Sequence, residues 1–382
     1  MLGQLKIDTE ISDGTRQFLD ISRGVCVLLV VIGHFRSFLF VDYSDVESVN
    51  IFTIAFYFLT SQGHFGVIIF FVISGYLCGG RYLKNKNDFL IDEYLKKRLS
   101  RVYVVLVPSI VLTFFLDYIG LSLNIESYYG SVSDIASITY HVDESINWYN
   151  FISTIFLVNK HEYIFGSNTP LWSLSYEMYF YVLFALLMCV FSNKKTHRAI
   201  CCVLFFMSAL FMGKEFLAYY FIWAIGLMIP LLTPWSSKYG HIFKINALLI
   251  WVLIVCFFAM IKTLGGNSYI NDIIVAMLFV VMTFFSKNNK ISYNLLTRML
   301  ETIGKYSFSL YVTHFPLGFL LVGIYKMYLS SSEKIQLDYT SFILFIFLLI
   351  ITFFLAKFFY HGFESKNQTM YKIISGESKG LN

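Results

Sequence analysis

Charged residues are scarce in this chain of 382 residues, since only 14% are Asp, Glu, Lys or Arg. Soluble domains usually contain about 25%. Together with 57% hydrophobic and 19% aromatic residues, this deficit excludes disordered chains and coiled coils. This hydrophobic and aromatic share is also larger than a surface in contact with water can hold. The composition therefore predicts an integral membrane protein.

Two further patterns are missing. The composition also excludes a disulfide scaffold, and the six cysteines lie within apolar runs without Cys-x-x-Cys spacing, which favours packing residues over a metal or redox role. Alternating polarity over about ten residues, which a membrane β-barrel needs, is absent from runs such as 245–261 and 342–354. The predicted fold class is an all-α polytopic membrane protein.

Apolar segments of nearly the length that a membrane crossing takes, about 20 residues in a helix, recur along the chain. They lie at about residues 18–41, 64–80, 102–119, 171–191, 199–212, 216–232, 245–261, 270–285, 306–327 and 341–361. We predict a bundle of about ten transmembrane helices over residues 18–361, preceded by a terminal segment, 1–17, and followed by a tail, 362–382. A long loop spans about 120–170, and residues 51–59 fit a surface or re-entrant helix.

Lys and Arg are distributed unevenly between alternate loops. Twenty-two lie on the side that carries both termini, and five lie on the opposite side. The richer side is cytoplasmic by the positive-inside rule, and an even number of spans also places the two termini on one side. We therefore expect both termini in the cytoplasm and the loop at about 120–170 outside it.

Ionisable side chains within the predicted spans are site hypotheses, because a central charge costs about 2.5 to 3.5 kcal/mol to insert. They are Arg23, His34, Glu177, His314, Lys357 and His361. Arg23 and His34 are eleven residues apart, which is about 20° past three helical turns, so they share a face and lie about 16 Å apart along it. The alternatives are an Arg that reaches the headgroups and a His bonded to a backbone carbonyl.

Two prolines bear on the other candidates. Pro170 opens the helix of Glu177 and places this carboxylate at a depth similar to that of His34. If the two meet, the carboxylate orients the imidazole as in a catalytic dyad; a Glu that caps a neighbouring helix is the alternative. Pro316 frees a backbone carbonyl and kinks the helix beside His314, which we place on the cytoplasmic side of any cleft.

A basic cluster follows the second predicted span. Most such clusters set the orientation of the chain and contact anionic lipid. Arg98 and Arg101 are three residues apart, so they share a helical face and can hold a phosphate group by paired hydrogen bonds.

Five motifs occur in order along the chain. They are Arg23-x10-His34, Phe70-Phe-Val-Ile-Ser-Gly-Tyr-Leu77, Arg98-x2-Arg101 with Pro108 after it, Trp172-Ser-Leu-x2-Glu177-x2-Phe-Tyr181, and Tyr306-Ser-Phe-Ser-Leu-Tyr-Val-Thr-His314-x-Pro316. Together they resemble the membrane acyltransferase family 3, the group of O-antigen and capsule O-acetylases. The resemblance runs from about residue 16 to 365.

The resemblance implies a multi-pass protein of the bacterial inner membrane that transfers an acetyl group. The donor would be cytoplasmic acetyl-CoA as a co-substrate, and the acceptor a hydroxyl of a lipid-linked or surface polysaccharide such as O-antigen or capsule. The implied catalytic residues are His34 and Glu177. The implied donor-binding residues are Arg23, Arg98, Arg101 and His314. Besides these substrates we expect contact with membrane lipids, no metal and no nucleic acid; the acceptor sugar and the oligomeric state stay open.

A transporter or flippase of lipid-linked sugars is the alternative function, with the intramembrane charges along a substrate path. Paired broken helices in corresponding halves, which would favour a transporter, are not evident in the sequence. Within the enzyme hypothesis, general-base catalysis by His34 and an acetyl-imidazole intermediate on His34 both stay open.

Overall fold

Helices form almost all of the regular structure in the part of the chain that is described. The computed structural model describes residues 10–84, 89–129, 138, 140–159, 164–190, 195–239, 268–287, 291–292, 294–329 and 334–376. Its α-helices are α1 Asp13–Leu39, α2 Ile51–Thr60, α3 Gly63–Ser74, α4 Ile91–Ser122, α5 Val142–Ser145, α6 Trp148–Ile155, α7 Leu171–Val190, α8 Lys195–Met212, α9 Lys214–Ile225, α10 Ile229–Tyr239, α11 Ser268–Ser286, α12 Leu295–Lys305, α13 Ser307–Tyr328, α14 Tyr339–Gly362 and α15 Asn367–Ser375.

Eight helical segments among these residues are long and apolar enough to cross a membrane. They are Asp13–Leu39, Ile51–Tyr82, Ile91–Ser122, Leu171–Val190, Lys214–Pro234, Ser268–Ser286, Ser307–Tyr328 and Tyr339–Ser375. The protein is therefore an all-α polytopic membrane protein, and eight predicted spans are confirmed. The span predicted at 199–212 coincides with α8, whose apolar part, Arg198–Ser208, is shorter than the roughly 20 residues of a crossing. The span predicted at 245–261 lies outside the described residues.

The chain divides into two compact units. Unit 1 comprises Met1–Cys26, His64–Arg98 and Tyr176–Lys305. Unit 2 comprises Val27–Gly63, Leu99–Ser175 and Tyr306–Asn382.

Unit 1 depends on a close approach of two backbones. The helix α3 continues into a π-helical turn, Gly75–Gly79, which contacts the end of α9 and the turn after it. A Cβ atom at Gly75 would collide with the carbonyl oxygen of Trp223, and one at Gly226 would collide with that of Val72. Small residues let membrane helices approach closely in this way. The contact brings the end of α3 next to Trp223.

Unit 2 has α13 as its most deeply buried helix. Residues 309–320 are buried without exception, and the rings of Phe35 and Phe38 lie where a Cβ at Gly318 would be. The predicted surface or re-entrant helix at 51–59 is confirmed as a helix, because α2 begins at Ile51 with the side chain of Asn50 accepting from the N–H of Thr53 at 3.0 Å.

We expect Gly75→Ala to destabilise the protein, because the added methyl group meets a main-chain oxygen that cannot rotate away. Overpacking typically costs about 1–3 kcal/mol. The measurement is the midpoint of thermal unfolding in detergent. Gly362→Ala is the control, since nothing lies within 4 Å of a Cβ at that position. Equal midpoints for the two variants would contradict the close approach.

Candidate functional site

Two imidazole rings meet within unit 2, one on α1 and one on α13. The ring centroids of His34 and His314 are 5.3 Å apart. The rings of Phe315 and His34 pack edge to face with their centroids 4.9 Å apart, and the centroid of the Phe38 ring lies 6.4 Å from that of His34. His314 is fully buried, whereas His34 is only partly buried. The pair thus has aromatic walls, and its accessible member is His34.

The hydrogen bonds of His314 indicate its tautomer. The Nδ1 atom lies 2.7 Å from the carbonyl oxygen of Tyr311 and 3.1 Å from that of Leu310. Because carbonyl oxygens only accept, Nδ1 carries the proton in the neutral ring. The Nε2 atom then holds a lone pair, and it is buried without a hydrogen-bond partner in the described part of the chain. Such a nitrogen can accept a proton or a hydrogen bond from a substrate.

The loop that leads into α7 is held firmly in unit 2. The buried carboxylate of Asp117 accepts hydrogen bonds from the backbone N–H and the hydroxyl of Ser167, both at 2.7 Å. Gly166 has φ of +66°, and a Cβ there would collide with the same carboxylate. The Tyr140 hydroxyl donates to the carbonyl oxygen of Gly166 at 2.9 Å. Burial raises the pKa of Tyr140 above its ordinary value, so this phenol stays a donor.

A chain of hydrogen bonds ends on Glu177 in unit 1. The Tyr181 hydroxyl donates to Oε1 of Glu177 at 2.5 Å, and the Ser74 and Tyr181 hydroxyl oxygens are 3.1 Å apart. Because the Tyr181 proton goes to the carboxylate, Ser74 is the donor to Tyr181. The Trp223 indole in turn donates to Ser74 at 3.1 Å. Every donor in the chain points toward Glu177, and this arrangement fixes the orientation of its carboxyl group.

Arg98 lies beside this chain. Its Nη1 atom donates to the sulfur of Cys78 at 3.0 Å, and its guanidinium lies 5.3 Å from the ring centroid of Tyr94 and 5.8 Å from that of Tyr181. The Nε atom is buried and has no hydrogen-bond partner among the described residues. A cation held over two aromatic rings thus keeps an unpaired donor for an anionic group.

The remaining predicted residues have different surroundings. Arg23 forms an ion pair with Asp20 at 3.0 Å within α1, and both side chains are largely buried. Arg101 is exposed. The structure therefore brings His34 together with His314, and it links Arg98 to Glu177 through Tyr181. The role assigned to each of these residues stays a prediction.

Several residues were missed by the sequence reasoning. Asp117 and Asp272 lie inside predicted spans, so the rule that selected Glu177 should have selected them as well. Asp272 is 2% exposed and accepts from Nε2 of His64 at 2.8 Å. Tyr181 and Ser74 belong to the quoted motifs, but no periodicity shows that they contact each other.

The fold and the site together define a polytopic membrane protein with an imidazole pair among aromatic rings. A family model described as an acyltransferase domain matches residues 16–361. The chain therefore belongs to this acyltransferase family, and the resemblance seen in the sequence is confirmed. No solved structure matches the chain.

Curated relatives carry related names. The O-acetyltransferase OatA of Staphylococcus aureus (strain NCTC 8325 / PS 47) is 26% identical over 294 residues, which cover 67% of this chain and 46% of the relative. The same figures hold for OatA of Staphylococcus aureus (strain COL). The O-acetyl transferase of Shigella phage Sf6 is 29% identical over 161 residues, which cover 40% of this chain and 43% of the relative. The chain thus spans less than half the length of these relatives.

We expect Asp117→Ala to lower the thermal stability, because it leaves the N–H and the hydroxyl of Ser167 without their acceptor. An unpaired buried donor costs about 1–3 kcal/mol. The measurement is again the unfolding midpoint in detergent. Asp92→Ala serves as the control, since Asp92 is exposed and bonds only loosely to Lys96 at 3.5 Å. An unchanged midpoint in Asp117→Ala would show that this carboxylate does not hold the loop.

Proposed function

We propose that the protein is a membrane O-acetyltransferase of the bacterial inner membrane. It moves an acetyl group from cytoplasmic acetyl-CoA to a hydroxyl of an extracytoplasmic polysaccharide such as O-antigen or capsule. The observation that carries this proposal is the His34–His314 pair, which places an unpaired basic nitrogen next to a partly accessible imidazole inside a membrane-spanning protein. The names of the relatives support acetyl as the group and oxygen as its acceptor.

His34 is the general base in this proposal. The acceptor oxygen forms a bond to the thioester carbonyl carbon, the carbon–sulfur bond breaks, and the hydroxyl proton passes to the His34 ring. That proton then neutralises the departing thiolate. The unpaired Nε2 of His314 is the acceptor proposed to receive a hydrogen bond from the imidazolium that His34 becomes. An acetyl-imidazole on His34 is the competing route.

Cationic side chains support binding of the donor's phosphate groups. Arg98 keeps a buried, unpaired Nε–H in the described part of unit 1, and Arg101 is exposed. Guanidinium groups pair well with phosphate oxygens. Arg23 already bonds to Asp20, so its N–H groups must be shared between this carboxylate and acetyl-CoA.

Glu177 is proposed to orient the catalytic imidazole. Its carboxylate receives the hydrogen-bond chain from Trp223, Ser74 and Tyr181. This chain leaves one carboxylate oxygen for another donor, which fits an orienting role. The pairing of Glu177 with His34 stays a prediction.

We expect His34→Ala to abolish acetyl transfer while the protein still inserts into the membrane, because no other group is proposed to take the hydroxyl proton. Purified protein is incubated with radiolabelled acetyl-CoA and surface polysaccharide, and label in the polysaccharide is counted. The control is His361→Ala, an exposed histidine at the end of α14. Full activity of His34→Ala would remove this residue from the mechanism. Movement of acceptor without any dependence on coenzyme A would favour the transporter instead.

We expect Tyr181→Phe to lower the rate of transfer roughly 10- to 100-fold, because a hydrogen bond to a charged group is worth about 1.5–3 kcal/mol. The same radiolabel assay measures the rate. Tyr179→Phe is the matched control, since the Tyr179 hydroxyl makes no hydrogen bond to the described residues. Equal rates in the two variants would show that the chain to Glu177 does not serve the reaction.

A further inference from the structure

We infer that Asn168 is a positioning residue for His314: its side-chain amide replaces the backbone N–H that Pro316 lacks, and so holds the turn of α13 that carries the imidazole. This inference rests on the proposed function, because it assigns a role in the same site. Neither the motifs nor the comparisons assign a role to Asn168.

The need for Asn168 begins with Pro316. In an α-helix the carbonyl oxygen of residue i accepts from the N–H of residue i+4, so Val312 would normally be paired with residue 316. Proline has no N–H and its ring also displaces this carbonyl. In the hydrocarbon layer no water is present to donate a hydrogen bond to the freed oxygen. Val312 therefore needs a donor from outside its own helix.

Asn168 supplies that donor. Its Nδ2 atom lies 2.8 Å from the carbonyl oxygen of Val312 and 3.1 Å from the hydroxyl oxygen of Thr113. Thr113 gives its own proton to the carbonyl oxygen of Ser109 at 2.8 Å, so its oxygen accepts from Asn168. A carbonyl oxygen cannot donate, which requires the amide nitrogen and not Oδ1 to face α13. Asn168 has no exposed surface.

The loop that carries the amide is itself held in place within unit 2. Its neighbour Ser167 is bonded twice to Asp117, and two residues later the Pro170 carbonyl oxygen accepts from the Tyr311 hydroxyl at 3.2 Å. The loop is therefore anchored on both sides of Asn168. Pro316 leaves this turn of α13 without one of its own backbone hydrogen bonds, so the bond from the anchored amide helps to fix the position of the turn.

His314 lies in the turn that this contact fixes. Its Nδ1 atom bonds to the carbonyl oxygens of Leu310 and Tyr311, and Asn168 bonds to the next carbonyl along the helix. Side chains thus pair three consecutive carbonyls just before Pro316. A misplacement of about 1 Å can cost about 100-fold in rate. Loss of the amide should therefore shift His314 relative to His34 and lower the rate of transfer.

The test is a double-mutant cycle on Asn168 and Pro316. Asn168→Ala should lower kcat for acetyl transfer by roughly 10- to 100-fold and should affect KM for acetyl-CoA less, because it displaces His314 but leaves Arg98 and the other cations in place. Pro316→Ala restores a backbone N–H for Val312. The double variant should therefore recover most of the loss seen in Asn168→Ala, in both kcat and the midpoint of thermal unfolding.

Asn159→Ala is the matched control. Asn159 is also a buried amide of unit 2, and its Oδ1 accepts from the Ser175 hydroxyl at 2.7 Å. Its loss should not be rescued by Pro316→Ala. If Pro316→Ala folds poorly, Asn168→Gln, which keeps an amide donor, should retain more activity than Asn168→Leu, which has none.

Three results would overturn the inference. One is wild-type kcat in Asn168→Ala, and another is a double variant no better than Asn168→Ala. The third is equal activity of the Gln and Leu variants. Failure of the proposed function is a separate outcome: the wild-type protein would then transfer no label, while recovery of the unfolding midpoint in the double variant would still report the contact between Asn168 and Val312.

Discussion

Polar groups inside a hydrocarbon layer must be paired within the protein, and this constraint underlies the arrangement of unit 2. Pro316 frees the oxygen of Val312, and Asn168 pairs with it. Asp117 is buried in α4 and takes both donors of Ser167. These side chains satisfy buried polar groups, and in doing so they also hold the loop and the helix next to the imidazole pair.

Much of the fold could be predicted because it follows from composition and length. Long apolar runs must become helices when no water is present to pair with the backbone, and eight predicted spans are confirmed. The family could be recognised as well, since the motifs around His34, Glu177 and His314 keep their order along the chain. Local sequence thus carries both the class of fold and the identity of the candidate residues.

The contacts between those residues could not be predicted, because they depend on how helices pack. Helical periodicity shows that Arg23 and His34 share a face, but it says nothing about which ring His34 meets, and that ring belongs to His314. The bond from Asn168 to Val312 joins residues 144 positions apart. Asp117 was missed although the cost of a charge inside a span applies to it, and its contact with Ser167, fifty positions away, could not be seen in the sequence.

The aromatic walls around His34 have a consequence for the fidelity of the proposed reaction. Thioesters are prone to hydrolysis, and a base that activates an alcohol activates water equally well. Phe38 and Phe315 pack against the ring and offer water no hydrogen-bonding partner on those sides. A sugar acceptor has an apolar ring face that can pack against these two aromatic rings, whereas a water molecule has none. In the proposed reaction, this packing would limit the loss of the acyl group to water.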